Sequence, residues 1–474
     1  MNMREDFRKR VLDGEFFSDV LGAKWRGGSG VPGEISGATI DSRKILSGEI
    51  FIAIKTEIRD GHDFLEAARE RGAAGALVSR FVPEIALPQL VVADVLEALR
   101  RVARAWRECV SGTVVGVTGS VGKTSTKDLL KKIFSASAPT HATYANLNNT
   151  LGVPLTILGA RVVENLVVEA GMSVPGELDC SAQMIFPDIA LVTNVKPAHL
   201  EGLGSMENIA REKSALARCV AENGLAIFPA DLLRYEAFRA LSCRRIVVSF
   251  CAEDFALARD SGAEIVRAEI SELADGFSLT LSGCDSAFAL PGFSRGLAEN
   301  SALAVCAARA AGIEEDSVRG SLARWRPSAN RGEWRDFPDG SGRKIFVDCY
   351  NASPASMLDS VRAFVRRERE LGNARNVCAQ KLFVLGGMGE LGADSGKFHF
   401  EVGANLPLDF ASDTLALFGG DAEQTGAGAI SKGFPRERVF VFGDVERLRE
   451  FVAAFPGDVM VKGSRAFALE RVVP

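Results

Sequence analysis

The chain reads as an α/β protein in three domains, and three observations carry that reading. It is 474 residues long, enough for about three domains of ordinary size. Short apolar, β-branched runs alternate with helical stretches along most of its length, the rhythm of parallel sheets. One such run, Val114 to Val117, enters a Gly-rich loop that ends in Gly122-Lys123-Thr124 and opens a helix.

Residues 1–110 predict a small N-terminal α/β domain. Ile50-Phe-Ile-Ala-Ile54, Ala76-Leu-Val78 and Leu90-Val-Val-Ala93 are strands, Asp63 to Gly72 is an alanine-rich helix, and Val95 to Cys109 is a helix leading out. Residues 111–325 predict a central, P-loop ATPase-like domain with a mostly parallel sheet. Its strands are the loop strand, Asn165 to Glu169, Ile189 to Thr193 and Leu225 to Phe228, with helices Thr124 to Phe134, Met206 to Glu222 and Glu299 to Ala311. Residues 260–290 form a β-rich excursion before the last of these. Residues 326–474, after Trp325-Arg-Pro327, predict a dinucleotide-binding-like α/β domain. Its strands are Lys344 to Asp348, Lys381 to Leu385, Thr414 to Phe418 and Val439 to Phe442, with Gly-rich turns at Gly386-Gly-Met-Gly389 and Lys462-Gly-Ser-Arg465.

The loop has the form Gly116-x-Thr118-Gly119-Ser120-x-Gly122-Lys123-Thr124, a variant of the strict phosphate-loop pattern, whose first glycine falls at Val117. Gly119 and Gly122 let the backbone turn with its N–H groups inward. The helix N-terminus attracts anions, Lys123 reaches outer phosphates, and the hydroxyl of Thr124 or Ser125 suits Mg²⁺. Glu169 closes an apolar strand near the loop and offers the oxygen donor that Mg²⁺ prefers. His199, one of four histidines, lies in another strand-end loop. Lys213, on a helix, has the reading of an ordinary exposed lysine. Asp348-Cys-Tyr-Asn351, followed by Pro354 and Ser356, reads equally as a polar cluster closing on a nucleotide or as the start of a helix.

Composition excludes several classes of function. With 47% apolar and 25% charged residues and a net charge of −5, the chain is of ordinary globular make-up and has no basic field for nucleic acid. Nine scattered cysteines without a C-x-x-C pair argue against a disulfide framework or a zinc site. The charged first ten residues and the lack of a long apolar run predict a cytoplasmic protein without a transmembrane segment. A monomer is expected.

Taken together, these residues resemble the Mur ligases of peptidoglycan synthesis, ATP-dependent amide-forming enzymes, over nearly the whole chain. The resemblance runs through Asp41-Ser-Arg43, Gly48-Glu-Ile-Phe51 and Asp60-Gly-His-Asp-Phe64, then the phosphate loop, Asn146-Leu-Asn-Asn149, Gly152-Val-Pro154 and Glu169. It continues through Thr193-Asn194, His199-Leu-Glu201, Gly204-Ser205, Lys213, Asp348-Cys-Tyr-Asn-Ala352, Gly389-Glu-Leu-Gly392 and Lys462-Gly-Ser-Arg465. It implies UDP-MurNAc-tripeptide and D-alanyl-D-alanine as substrates and ATP with Mg²⁺ as cofactors. It further implies Ser42, Arg43, Asn146, Asn148 and Asn149 on the substrate side, and Gly119, Ser120, Gly122, Lys123, Thr124 and Ser125 on the phosphates. Asn300, Arg331, Asp348 and Asn351 are implied to meet ATP, and Thr124, Glu169, His199 and Lys213 the metal. Lys123, His199 and Lys213 match catalytic positions, and Lys213 matches a lysine that is carbamylated in several members.

The chain departs from the family pattern at Gly296 and Leu297, where a histidine and an asparagine near adenine are usual, and at Ser353, Thr150 and Gly387. Two other readings stay open: a sister ligase adding the diamino acid, whose Asp-Asn-Pro-Arg motif is not found, and a catalytically idle relative that kept the fold.

Overall fold

The computed structural model describes residues 11–162, 164–375 and 380–474; the charged N-terminal decapeptide and Cys378 lie outside them. Among the described residues the strands form three sheets in succession along the chain. The first contains β1 (Trp25–Arg26), β2 (Gly37–Thr39), β3 (Glu49–Ile52), β4 (Gly75–Val78) and β5 (Gln89–Val91), in the order β1-β5-β4-β3-β2. Its pairs are parallel except β1 with β5. The helix expected from Asp63 begins instead as a 3₁₀ turn, Gly61–Phe64, and becomes α-helical over Leu65–Glu70. The cause is Asp60, whose carboxylate accepts the His62 N–H at 3.0 Å and tightens the first turn.

Helix α1 (Val95–Cys109) starts where Asp94 accepts the N–H groups of Leu96 and Glu97, and it buries Val95, Ala98, Leu99, Val102, Ala103 and Trp106 at helical spacing. Its last turn grips the next sheet. Trp106 Nε1 donates to Ala160 O at 2.8 Å, and buried Arg107 donates to Ile185 O at 2.9 Å and pairs with Asp188 at 3.1 Å. One apolar cluster therefore runs from Phe16 in the first region to Val247 in the second.

The second sheet contains β6 (Val114–Thr118), β7 (Thr140–Ala142), β8 (Asn165–Glu169), β9 (Ile189–Val192), β10 (Leu225–Pro229), β11 (Arg244–Ser249), β12 (Glu264–Leu273), β13 (Gly276–Leu281) and β14 (Phe288–Pro291). The order is β14-β13-β12-β11-β10-β9-β6-β8-β7, parallel as far as β12 and antiparallel beyond it. The β-rich stretch before residue 290 thus lengthens this sheet. β6 lies between β8 and β9, so the strand order reverses at β6, and ligands in such sheets bind in the crevice beyond that point.

Helix α2 (Lys123–Ser135) follows β6, with Gly122 at its N-cap in the left-handed region. α3 (Met206–Arg218) starts at a Ser205 cap and ends four residues before the expected Glu222, because the chain turns so that Ala221 N–H reaches Pro187 O at 2.8 Å. α4 (Arg295–Ala310) begins four residues earlier than expected, where Ser294 caps it through Leu297 N–H.

The third sheet contains β15 (Glu333–Asp336), β16 (Lys344–Asp348), β17 (Lys381–Gly386), β18 (Thr414–Phe418), β19 (Val439–Phe442) and β20 (Asp458–Lys462), in the order β15-β16-β20-β17-β18-β19. Only β15 is antiparallel. Phe383, Leu417 and Met460 face one apolar cluster, while Val384, Ala416 and Val461 face the other. Burial on both faces is why these strands read as unbroken apolar runs. Helix α5 (Pro354–Arg375) covers the first face through Met357, Val361 and Phe364, the last stacked 5.5 Å from Trp334. The described residues include no helix long and apolar enough to cross a membrane, and the cysteines among them are unbridged thiols.

Candidate functional site at the phosphate loop

The loop after β6 is clamped from β9. Ser120 N–H donates to Asn194 O at 3.1 Å, and Val121 exchanges two bonds of 3.0 Å with the Asn194 amide. Thr193 Oγ1 donates to Val121 O at 2.7 Å, and Ser120 Oγ bonds both Lys196 O at 2.9 Å and Lys196 N at 3.0 Å. In the sequence Thr193 reads as a strand end and Asn194 as part of a motif; here they hold the loop's shape. Glycine is required at two points. At Gly119, with φ of +148°, a Cβ would fall 1.8 Å from Thr193 Oγ1, and at Gly122, with φ of +84°, it would fall 2.1 Å from Asn300 Nδ2. Asn300 is thereby found against the phosphate loop itself.

Lys123 folds back along the loop, with Nζ 2.9 Å from Gly119 O and 3.4 Å from Ser120 O. Burial lowers its pKa, opposed by the Glu169 carboxylate and reinforced by Arg331. Thr124 Oγ1 donates to Glu169 Oε1 at 3.1 Å and accepts from Arg331 Nη2 at 3.0 Å, across 207 residues of chain. The Arg331 guanidinium also stacks 3.8 Å over Tyr350, which fixes its plane. Asn148 Nδ2 donates to Glu169 Oε1 at 2.7 Å, and Glu169 N–H is taken by Thr143 Oγ1 at 2.9 Å. The other oxygen, Glu169 Oε2, is buried without a hydrogen-bond partner, and the carboxylate is 1% exposed. An orphaned, buried carboxylate oxygen beside a threonine hydroxyl is what a hard divalent cation needs from the protein, the rest of its shell coming from phosphate and water.

His199 sits in the left-handed region at φ of +57° and pairs through Nδ1 with Glu390 of the third region. Among the described residues no three His, Cys, Asp or Glu side chains gather into a metal cluster, so a cation at this site is not caged by protein alone. Glu390, the partner of His199, was not singled out in the sequence. Its one signal in the sequence is the Gly389-x-x-Gly392 frame around it; the structure adds a φ of +60° at Glu390. Lys213 is not an exposed lysine. It is 1% exposed, and burial first, then the nearby Lys123 charge, push its pKa well below the ordinary range.

Other expected residues are placed elsewhere. Asn149 Oδ1 accepts from Leu151 and Gly152 N–H at 3.2 and 2.8 Å and caps the helix Gly152–Leu158. Asn146 lies in the tight turn before Asn148, whose N–H it accepts at 2.8 Å. Ser42 is buried and Arg43 exposed in a 3₁₀ turn of the first region, where Arg43 holds the Asp41 carboxyl down at about 2. Asp348 Oδ2 accepts from Lys462 Nζ at 2.8 Å and from the Ser360 hydroxyl, while Asn351 Oδ1 accepts its neighbour's N–H at 2.9 Å. Ser353 and Ser356 bond each other at the start of α5, so this cluster opens a helix.

Known proteins resemble this chain in sequence and fold. Residues 34–107 match the catalytic domain of the Mur ligase family, and residues 117–308 match the Mur ligase middle domain. The UDP-N-acetylmuramoyl-tripeptide–D-alanyl-D-alanine ligase of Bacillus subtilis is 32% identical, covering 93% of this chain and 92% of that protein. Its Escherichia coli counterpart is 30% identical over 93% and 95%. Among solved structures, MurF from Acinetobacter baumannii is similar with a TM-score of 0.78 at 26% identity, covering 98% of both chains. MurF ligase from Thermotoga maritima, solved in complex with ADP, is similar with a TM-score of 0.73 at 27% identity over 92% and 96%. A relative of that identity over nearly its whole length, together with two matched family domains in the expected order, means that this chain belongs to the Mur ligase family.

Proposed function

We propose that the chain joins D-alanyl-D-alanine to UDP-MurNAc-tripeptide at the expense of ATP, giving UDP-MurNAc-pentapeptide for peptidoglycan synthesis. The observation that carries the proposal is the convergence of Thr124, Glu169, Asn148 and Arg331 at the mouth of the phosphate loop, in a chain whose full-length relatives bear that ligase's name.

In the reaction, a terminal tripeptide carboxylate oxygen attacks the γ-phosphorus of ATP; a P–O bond forms and ADP leaves, giving an acyl phosphate. The free amine of D-alanyl-D-alanine then attacks the acyl carbon, the amide forms, and phosphate departs as the amine loses a proton. Two anions must meet in the first step. Lys123 and Arg331 supply fixed positive charge there, and the amides of Gly122, Lys123 and Thr124 at the N-terminus of α2 hold the phosphate oxygens. Thr124 and Glu169 are the residues that would hold Mg²⁺, which when bound neutralises phosphate charge. Lys213 lies close enough to Lys123 to feel its charge, and its neutral amine is the form that takes up CO₂ as a carbamate. His199, paired with Glu390, contributes at the boundary where the third region covers the site and excludes water from the acyl phosphate.

The three functional units are residues 1–110 for the UDP end of the muropeptide with Ser42 and Arg43, 111–325 for ATP, and 326–474 for the covering domain with Asp348 and Asn351. Substrates of this kind place the reaction in the cytoplasm, and a monomer carries every group named.

The test is phosphate release and product mass with purified protein, ATP and UDP-MurNAc-tripeptide, with and without D-alanyl-D-alanine. Release that requires the dipeptide, with a product heavier by one dipeptide less water, is expected. Folded protein that forms no such product overturns the proposal.

A further inference from the structure

Helix α5 belongs to the third sheet's core on one side, yet on its other side it grips the second region at two points seven residues apart, two turns of one helix face. At the first, Asp359 Oδ2 accepts from Ser294 Oγ at 2.6 Å and Oδ1 accepts from Gly296 N–H at 3.2 Å. Gly296 N–H is among the groups at the start of α4 that have no partner within the helix, so Asp359 is a capping carboxylate supplied by another domain. Ser294 Oγ is tied in turn to Leu297 N–H at 3.0 Å. A Cβ at Gly296 would stand 3.4 Å from Asp359 Oδ2, an ordinary contact, so the carboxylate lies directly over this first turn of α4. At the second point Arg366 Nη2 donates to Leu273 O at 2.6 Å and Gly276 O at 2.8 Å, while its Nε pairs with Glu272 at 3.3 Å and the guanidinium lies 4.4 Å over Phe277.

What gives the first point a consequence is one further turn of α4. Asn300 follows Gly296 by four residues, on the same face, and its amide nitrogen fills the space where Gly122 lacks a side chain. A continuous path of packed, hydrogen-bonded groups thus leads from Asp359 through the first turn of α4 and Asn300 to the glycine that shapes the phosphate loop. The departure from the family pattern at Gly296 and Leu297 falls on the same turn.

We propose that Asp359 is a positioning residue for the nucleotide: seated on α4 from the third domain, it sets Asn300 against Gly122 and couples docking of that domain to the shape of the phosphate loop. The inference rests on the reading of that loop as the ATP site.

The experiment compares KM for ATP, KM for UDP-MurNAc-tripeptide, and ADP affinity by calorimetry in the wild type, Asp359→Ala, Asp359→Asn and Lys123→Ala. Asp359→Ala is expected to raise KM for ATP and weaken ADP about tenfold while muropeptide KM stays within about twofold, the range for losing hydrogen bonds to a charged group. Asp359→Asn keeps an acceptor for Gly296 N–H and a partner for Ser294, and recovers most of the loss. If Asp359→Ala leaves ATP binding unchanged, or shifts both KM values alike with no rescue by Asn, the positioning role is overturned. If Lys123→Ala keeps wild-type ADP affinity, the ATP-site reading fails first, whatever the Asp359 variants do.

Discussion

Two regions of this chain carry the same local vocabulary, a parallel strand running into a Gly-rich turn with a lysine, and use it for opposite ends. After β6 the turn opens onto the N-terminus of α2, and Lys123 lies along it, half-buried, with loop carbonyls as its hydrogen-bond acceptors among the described residues. After β20 the lysine comes before the turn. Lys462 is the last residue of its strand, 1% exposed, bonded to Asp348 Oδ2 at 2.8 Å and to Asn351 O at 3.1 Å. The glycines differ as well. Gly119 and Gly122 have positive φ and shape a cradle, whereas Gly386 and Gly463 are needed because β17 and β20 bring them together under Leu469. Lysine position relative to the turn therefore separates a charge kept for a ligand from a charge spent within the fold.

The largest expected effect is on the first lysine. Lys123→Ala should lower kcat/KM by about a thousandfold while leaving the unfolding midpoint near wild type, since a preorganised charge on the reacting phosphate is lost. The mirror experiment is Lys462→Met. It leaves the Asp348 carboxylate, 19% exposed and still bonded to the Ser360 hydroxyl, without its cation and should cost about 1 to 3 kcal/mol in urea unfolding. A Lys462→Met protein as stable as wild type but inactive would erase the contrast between the two lysines.

Glycine substitutions sharpen it further. Gly463→Ala places a Cβ 2.6 Å from Leu469 Cδ1 and 3.0 Å from Gly386 Cα, and should lower stability by about 1 to 3 kcal/mol through overpacking. Gly122→Ala should instead weaken ADP, because the strain and the collision with Asn300 fall on the cradle. The smallest effect is at Asn149. If its role is the helix cap seen here, Asn149→Ala costs about 1 kcal/mol of stability with muropeptide KM unchanged; a large rise in that KM with no loss of stability would return it to the substrate side.

Much of this was legible in the sequence for a local reason. A β-branched run, a glycine needing positive φ and a helix-spaced apolar face each constrain a few consecutive residues, so strand, loop and helix around Lys123 and the central strands of the three sheets could be read from the residues alone, whereas β1, β2, β7 and β15 carry no such run and, like β11, were not read. Errors fell at helix ends, where one capping side chain decides: Asp60 turned the start of a helix into a 3₁₀ turn, and Ser294 moved another start by four residues. The Mur ligase motifs also gave the family.

By itself, then, the sequence determined the α/β class, the phosphate loop and the family, because these are written in short-range periodicity and spacing. Only the tertiary structure decided that Thr124 meets Glu169 and Arg331, that Lys213 is buried, that Lys462 belongs to Asp348, that Glu390 faces His199, and that Asp359 caps a helix of another domain. Those pairings join residues up to 207 apart in the chain. They depend on strand order and on which helix faces meet, and no local pattern of residue types encodes either.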